Sequence, residues 1–270
     1  MKIPPVFRAV FGDGERKPFR VEELRVGDIY GMLYRPTGLK RRLPTVILSH
    51  GYAGNTANCT PYAERFAAHG FACYVFDFHG GGPASRSPGQ MTEMSVLTEA
   101  ADLDAVLSRV RELHCVDASR MFLWGESQGG FVSAYVAGRR PEAVRGLILF
   151  YPAFVLQDAI RAQYPNPADI PETAFVMDNW IGAVYARDAL SFDIYEVMRG
   201  YRGDVLIVHG DADALVPLSY SERARDVYAS AELRVIPGAP HGFWDALDGP
   251  ASMALDFLKA HCESPLTKSR

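Results

Sequence analysis

The sequence predicts an α/β protein: a mostly parallel central sheet flanked by helices, carrying one small insertion. Three observations support this. Strand-like runs dominated by apolar residues recur at Thr45 to Leu48, Ala72 to Phe76, Met121 to Trp124, Gly146 to Phe150 and Val205 to Val208. Continuous rather than alternating apolar runs belong to parallel strands covered on both faces. Helical patterns fall between them, which is the β-then-α rhythm of a parallel sheet. Finally, roughly 50 residues, Tyr151 to Gly203, separate two of the runs, far more than a single crossover helix needs.

The elements follow in order. Ile29 to Tyr34 reads as a strand ending at the turn signal Arg35-Pro36, and the preceding segment carries Val21 and Leu24. These predict antiparallel edge strands. After the strand at Thr45, Thr60-Pro61 reads as a helix N-cap with proline at the first helical position, and Gly70 as that helix's end. The strand Ala72 to Phe76 runs into Asp77-Phe78-His79-Gly80-Gly81-Gly82, expected to be a flexible loop. Val96, Ala100, Leu103, Val106, Leu107 and Val110 repeat at helical spacing and predict an amphipathic helix from Val96 to Leu113. A helix after Trp124 should run through Val136, with Gly138 and Pro141 stopping it. Leu233 to Ile236 gives the last strand and Ala251 to Ala260 the last helix; the tail Ser264 to Arg270 is expected to be disordered.

Chemistry-bearing residues sit just past the C-terminal ends of these strands, where open α/β sheets place ligands. Gly125-Glu126-Ser127-Gln128-Gly129 follows Met121 to Trp124 directly. Gly-x-Ser-x-Gly between a strand and a helix is the nucleophile elbow, with flanking glycines that permit a strained turn and close helix–strand approach. His209-Gly210-Asp211-Ala212-Asp213 follows the strand Val205 to Val208, and Pro237-Gly238-Ala239-Pro240-His241 follows the strand at Leu233. The order Ser127, Asp213, His241 suits a nucleophile, an orienting acid and a general base, because a serine hydroxyl needs a base and the base needs its tautomer fixed. Asp211 is the rival acid; Asp213 is preferred because Asp-x-x-Val-Pro closes the loop at the start of a helix. Ser49-His50-Gly51-Tyr52-Ala53-Gly54-Asn55, after the strand at Thr45, occupies the usual place of an oxyanion loop. It predicts the backbone amides of Tyr52 and Gln128 as the donors, with His50 bracing the loop or lining the pocket floor.

The chain thus divides into a core, 1–151 and 204–270, and an insertion, 152–203. The insertion holds Pro152, Pro165, Pro167 and Pro171 with Tyr164, Phe175, Trp180 and Tyr185. It reads as a lid over Ser127 that shapes an apolar, aromatic pocket.

Composition narrows the partners. With 270 residues, a net charge of −4, 48% hydrophobic and 22% charged residues, the chain is an ordinary globular domain without the basic footprint of a nucleic-acid binder. No apolar stretch approaches the ~18 residues of a membrane span. Met1-Lys2-Ile3-Pro4-Pro5 lacks the apolar region of a signal peptide, so a cytoplasmic location is expected unless a leader has been removed. Cys59, Cys73, Cys115 and Cys262 are scattered without metal-ligand spacing and read as free thiols, Cys73 in the core. No metal or organic cofactor is expected. The expected partner is a small-molecule ester, with a homodimer left open.

These residues together resemble an α/β-hydrolase. More narrowly, His50 to Asn55, the elbow Gly125-Glu126-Ser127-Gln128-Gly129-Gly130, the compact insertion with Ile194-Tyr195-Glu196-Val197 at its exit, His209 to Asp213 and Gly238 to His241 resemble single-domain bacterial cinnamoyl (feruloyl) esterases over residues 20 to 262. The resemblance implies a serine carboxylic-ester hydrolase. It also implies a lid aspartate and glutamine that bind the phenolic end of the substrate; Asp158 and Gln163 fall in the comparable place. The elbow departs from that group's usual His-Ser by carrying Glu126, for which a packing or hydrogen-bonding effect is expected. A thioesterase, an acyl-peptide hydrolase, a prolyl-oligopeptidase-type peptidase and a perhydrolase share the triad motifs. The complete set of three residues weighs against a non-catalytic scaffold.

Overall fold

The computed structural model describes residues 17–243 and 246–263. The chain runs β1 (Phe19–Glu23), β2 (Gly31–Pro36), β3 (Leu43–Ser49), α1 (Thr56–Ala68), β4 (Ala72–Phe76), α2 (Val96–Arg111), β5 (Val116–Glu126), α3 (Ser127–Arg139) and β6 (Gly146–Phe150). The intervening segment holds α4 (Leu156–Gln163), the hairpin β7 (Thr173–Val176) and β8 (Asn179–Gly182), α5 (Ala183–Leu190) and α6 (Ile194–Met198). The chain then closes with β9 (Asp204–Gly210), α7 (Leu218–Val227), β10 (Ala231–Ile236) and α8 (Asp248–Glu263).

The main sheet has the order β1-β2-β4-β3-β5-β6-β9-β10. From β4 to β10 neighbours are parallel, whereas β1 and β2 are antiparallel additions at one edge, as the N-terminal pattern predicts. Apolar side chains fill both faces. Ile47, Leu123, Leu147 and Ile207 pack under α2 and α3, while Val46, Phe122, Trp124, Ile148 and Leu206 pack under α1 and α8. Complete burial of each such side chain contributes about 1.5–3 kcal/mol, which is why the runs are continuously apolar.

The strand order positions the site. From β3 the chain crosses to β4 on one side, then returns to β5 on the other. The loops after β3 and β5 therefore diverge and open a crevice at the carboxyl ends of these two neighbours, the topological switch point of an open α/β sheet.

Several local expectations need correction. Helix α1 begins at Thr56, not near Thr60, because Asn55 caps it: its side chain accepts from the Ala57 N–H while Asn58 Oδ1 accepts from the Asn55 N–H. Pro61 lies inside the helix. Gly138 does not stop α3 but lies within it, where a Cβ would stand 2.3 Å from the Val197 carbonyl oxygen. The glycine serves the close packing of α6. The segment after β4 is tied down. Asp77 accepts from the Thr56 and Arg86 N–H groups, and Ser87 Oγ donates to its carbonyl. Both the sequence-expected disorder of the tail at Ser264 to Arg270 and the reading of Met1 to Pro5 lie outside the described residues.

Candidate active site

The elbow is strained at its apex. Ser127 has φ +50°, a left-handed conformation that costs a non-glycine residue roughly 1–2 kcal/mol. The strain thus falls on the serine itself rather than on a glycine. Gly129 instead permits close approach: a Cβ there would stand 2.3 Å from the His50 carbonyl oxygen. The loop after β3 is thereby drawn against the elbow, and Gly51, Tyr52 and Ser127 line one common cavity.

A continuous relay starts at that serine. His241 Nε2 lies 3.0 Å from Ser127 Oγ, and His241 Nδ1 lies 2.7 Å from Asp213 Oδ2. Asp213 is buried and accepts on both oxygens: Oδ1 takes the N–H groups of Leu215 and Val216 at 2.9 and 2.8 Å, and Oδ2 takes His209 Nε2 at 3.1 Å besides His241. Burial by itself raises this carboxyl. The hydrogen bonds from His209, His241 and Val216 outweigh it and hold Asp213 well below the usual carboxylate range. Asp211, by contrast, is exposed and accepts one bond, from the Gly238 N–H at 2.6 Å.

His209 is a participant that sequence reasoning passed over. It is fully buried, with Ser221 Oγ 2.7 Å from Nδ1 and the Val216 carbonyl 2.9 Å from Nε2. Two acceptors at Nε2 place its proton there, so Nδ1 accepts from Ser221. The available signal was a histidine closing an otherwise apolar strand, immediately before Gly210-Asp211.

Of the two structural roles open to His50, the contacts are those of a brace for the loop. The Phe78 N–H donates to Nε2, leaving the proton on Nδ1 for the Gly51 carbonyl at 2.8 Å. Burial lowers the His50 pKa, consistent with a neutral ring. Gln128 is the second residue of α3, and the first N–H groups of a helix have no intrahelical partner. Tyr52 sits opposite, its hydroxyl donating to the Val176 carbonyl in the hairpin at 3.0 Å.

Two cavities meet at Ser127. The larger, about 240 Å³, is bounded by Leu156, Ile160, Val176, Met177 and Leu215, with Gln163 on its wall. The smaller, about 150 Å³, is bounded by Asn58, Glu126, Tyr151 and His241. Glu126 is buried, and Tyr151 donates to its Oε2 at 2.7 Å. Burial raises the Glu126 pKa against the opposing hydrogen bonds from Tyr151 and the Gly51 N–H. The Tyr151 ring in turn packs edge-on against His241 at 4.8 Å. Asp158 stands apart from both cavities: on the exposed side of α4 it pairs with Arg161 at 3.0 Å and accepts from Tyr220 at 3.1 Å. Among the described residues no cluster of His, Cys, Asp and Glu has the makings of a metal site, and no helix is long and apolar enough to cross a membrane.

Fold and site define an α/β-hydrolase. Residues 41–187 match the family model described as serine aminopeptidase, S33. That is more than half of the chain, and the chain belongs to this family of α/β-hydrolases. Among curated proteins it is 35% identical over 99 residues to the quorum-quenching protein AidA of Acinetobacter baumannii, covering 36% of this chain and 32% of that protein. It is 26% identical to a monoacylglycerol lipase of Mycolicibacterium smegmatis over 73% of this chain and 80% of the lipase. The chain spans less than two thirds of the length of the first curated relatives it matches. Among solved structures, Est1E from Butyrivibrio proteoclasticus with ferulic acid bound superposes with a TM-score of 0.82 at 23% identity, covering 90% of this chain and all of Est1E. A likeness at that identity shows the shared fold.

Proposed function

We propose that this chain is a serine carboxylic-ester hydrolase that works through an acyl-enzyme. The observation that carries the reading is the unbroken relay from Asp213 through His241 to Ser127, set where two cavities meet. His241 takes the Ser127 proton as the oxygen attacks the ester carbonyl. Asp213 holds the Nδ1 proton and stabilises the imidazolium. The amides of Tyr52 and Gln128 receive the oxyanion, a contribution of about 10²–10³ in rate per donor. The C–O bond of the ester breaks as His241 returns the proton to the leaving alcohol, and water then repeats the cycle to free the acid.

The insertion 152–203 acts as the lid. It supplies most of the apolar wall of the larger cavity, which takes the acyl group, and the smaller, more polar cavity takes the alcohol. A hydroxycinnamoyl or other small aromatic or short acyl group suits that larger volume, and Gln163 on its wall is the residue we assign to a phenol. The resemblance to feruloyl esterases and the ferulic acid bound to Est1E support the aromatic choice, as the lipase relative supports ester cleavage. The test is kcat/KM on p-nitrophenyl acetate and butyrate, methyl ferulate, methyl p-coumarate and an alanine p-nitroanilide. Preference for the hydroxycinnamates is expected. Turnover of the anilide alone would replace the esterase by the aminopeptidase of the family's description.

A further inference from the structure

Behind the elbow lies a buried polar cluster that the reaction leaves unused. Glu99, in the first turn of α2, is 1% exposed. Its Oε2 accepts from Gln128 Nε2 at 2.9 Å, and Gln128 Oε1 accepts from the Tyr185 hydroxyl at 2.5 Å. The Met94 sulfur lies 3.6 Å from the same Gln128 nitrogen. The remaining oxygen of Glu99, Oε1, is buried without a hydrogen-bond partner. Buried polar atoms are nearly always paired, so a half-satisfied carboxyl where a leucine would pack calls for a reason.

Connectivity supplies one. The cluster joins α2, the elbow helix and α5 of the insertion, and it reaches both residues assigned to the oxyanion. Gln128 belongs to it directly. Tyr185 packs its ring edge-on against Tyr52 at 6.2 Å, and the Tyr52 hydroxyl holds the hairpin through the Val176 carbonyl. Free rotation of the Gln128 side chain is thereby removed on both amide atoms, and the wall beneath Tyr52 is fixed.

We propose that Glu99 is a positioning residue of the hydrolytic site, which through Gln128 and Tyr185 keeps the Gln128 and Tyr52 amides aimed at the oxyanion formed on Ser127. The inference rests on the serine-hydrolase reading given above. The protonation state follows from the surroundings. Burial raises the Glu99 pKa to about 8, opposed by the Gln128 hydrogen bond and reinforced by Asp102 on the same helix. Across from it, Tyr185 on α5 is pushed well above its ordinary range by burial and by Glu99 itself, so that phenol is neutral. Asp188 of α5 is engaged by Ser95 Oγ at 2.5 Å. At pH 7 the carboxyl is therefore protonated. Above pH 8 it ionises and sets a negative charge behind the oxyanion, disfavouring it.

The experiment compares wild type, Glu99→Gln and Glu99→Leu across pH 6 to 9.5 on p-nitrophenyl butyrate, with thermal melts and fluorophosphonate labelling of each. In wild type kcat falls on the alkaline side near pH 8. Glu99→Gln, which keeps an acceptor for Gln128 but has no proton to lose, shows a modest loss at pH 7 and no alkaline fall. Glu99→Leu frees Gln128 and lowers kcat about 10-fold or more, a fraction of the loss from deleting an oxyanion donor, with little change in KM. A wild-type alkaline fall retained in Glu99→Gln would overturn the proposal, as would full kcat in a folded Glu99→Leu. Wild type that neither turns over any ester nor labels at Ser127 would instead overturn the underlying hydrolase reading.

Discussion

Replacing Asp213 by asparagine tests the relay most sharply, because the geometry says which way the new amide will turn. Each carboxylate oxygen accepts from two donors: Leu215 and Val216 N–H on Oδ1, His209 and His241 on Oδ2. An amide has one acceptor, so its NH₂ must face one of these pairs. Facing the backbone pair leaves two fixed donors unpaired, each costing about 1–3 kcal/mol. Facing the histidines is easier. His209 keeps the Val216 carbonyl as partner, and His241 moves its proton from Nδ1 to Nε2. That second tautomer cannot accept the Ser127 proton. The expected loss is about 10⁴ in kcat, as for other triads stripped of their acid, or about 5.4 kcal/mol at 1.36 kcal/mol per tenfold. Asp211→Asn keeps an acceptor for Gly238 and should change activity by no more than about threefold, as exposed substitutions do. The assay is kcat/KM on p-nitrophenyl butyrate with fluorophosphonate labelling rates and a thermal melt for each variant. A larger loss in Asp211→Asn, or Asp213→Asn within tenfold of wild type, would refute the reasoning and move the acid.

Other expectations follow from the same geometry. Ser127→Ala should abolish ester turnover and probe labelling with the fold retained, and Ser127→Gly should melt higher than Ser127→Ala, by about 1 kcal/mol in stability, because the left-handed strain is gone. Gln163→Leu should raise KM for methyl ferulate about 3–10-fold, the value of one hydrogen bond, while leaving p-nitrophenyl butyrate nearly unchanged; Asp158→Ala, acting on a residue away from the cavities, should affect both substrates alike. Stability should respond to pH with opposite signs at two carboxyls. Asp213, depressed in the fold, contributes stability above its unfolded pKa of about 4, and that contribution is lost as the pH falls below this toward the folded value. Glu99, raised to about 8, binds its proton more tightly when folded, so stability falls as pH rises from about 4 to 8. Thermal melts should therefore show Glu99→Gln gaining on wild type from pH 5 to pH 9; a constant difference would sink the assignment of Glu99 as the titrating group.

What was legible in the sequence follows from what the sequence encodes locally. Parallel strands announce themselves because both faces are apolar, and the largely β-branched run Thr45-Val46-Ile47-Leu48, bounded by Pro44 and by Gly51, is too short for a buried helix. Ser127, Asp213 and His241 stand out because each sits at a strand's end in a glycine- or proline-bearing loop, and the chain order restricts how they combine. Local signals failed where tertiary contacts decide. The hairpin of β7 and β8 turns through Met177 and Asp178 with φ +45° and +64°, a primed turn that normally advertises itself by Asn-Gly or Asp-Gly. The helix after Gly54 takes its start from the Asn55–Asn58 capping box, which competed unseen with the more conspicuous Thr60-Pro61.

Glu99 marks the limit most clearly. It lies on the apolar stripe itself, three residues after Val96, four before Leu103 and seven before Val106, so helical spacing already points it inward. What spacing does not give is the partner: the packing of α2 against α3 brings it to Gln128, and α5 closes the cluster with Tyr185. On the proposed reading, the segment that lines the larger cavity also completes the wall behind the oxyanion. A segment that served only as a cover would need neither the Tyr185 hydroxyl nor a buried acid beyond it, so on the proposed reading the cluster ties the wall of the pocket to the elbow.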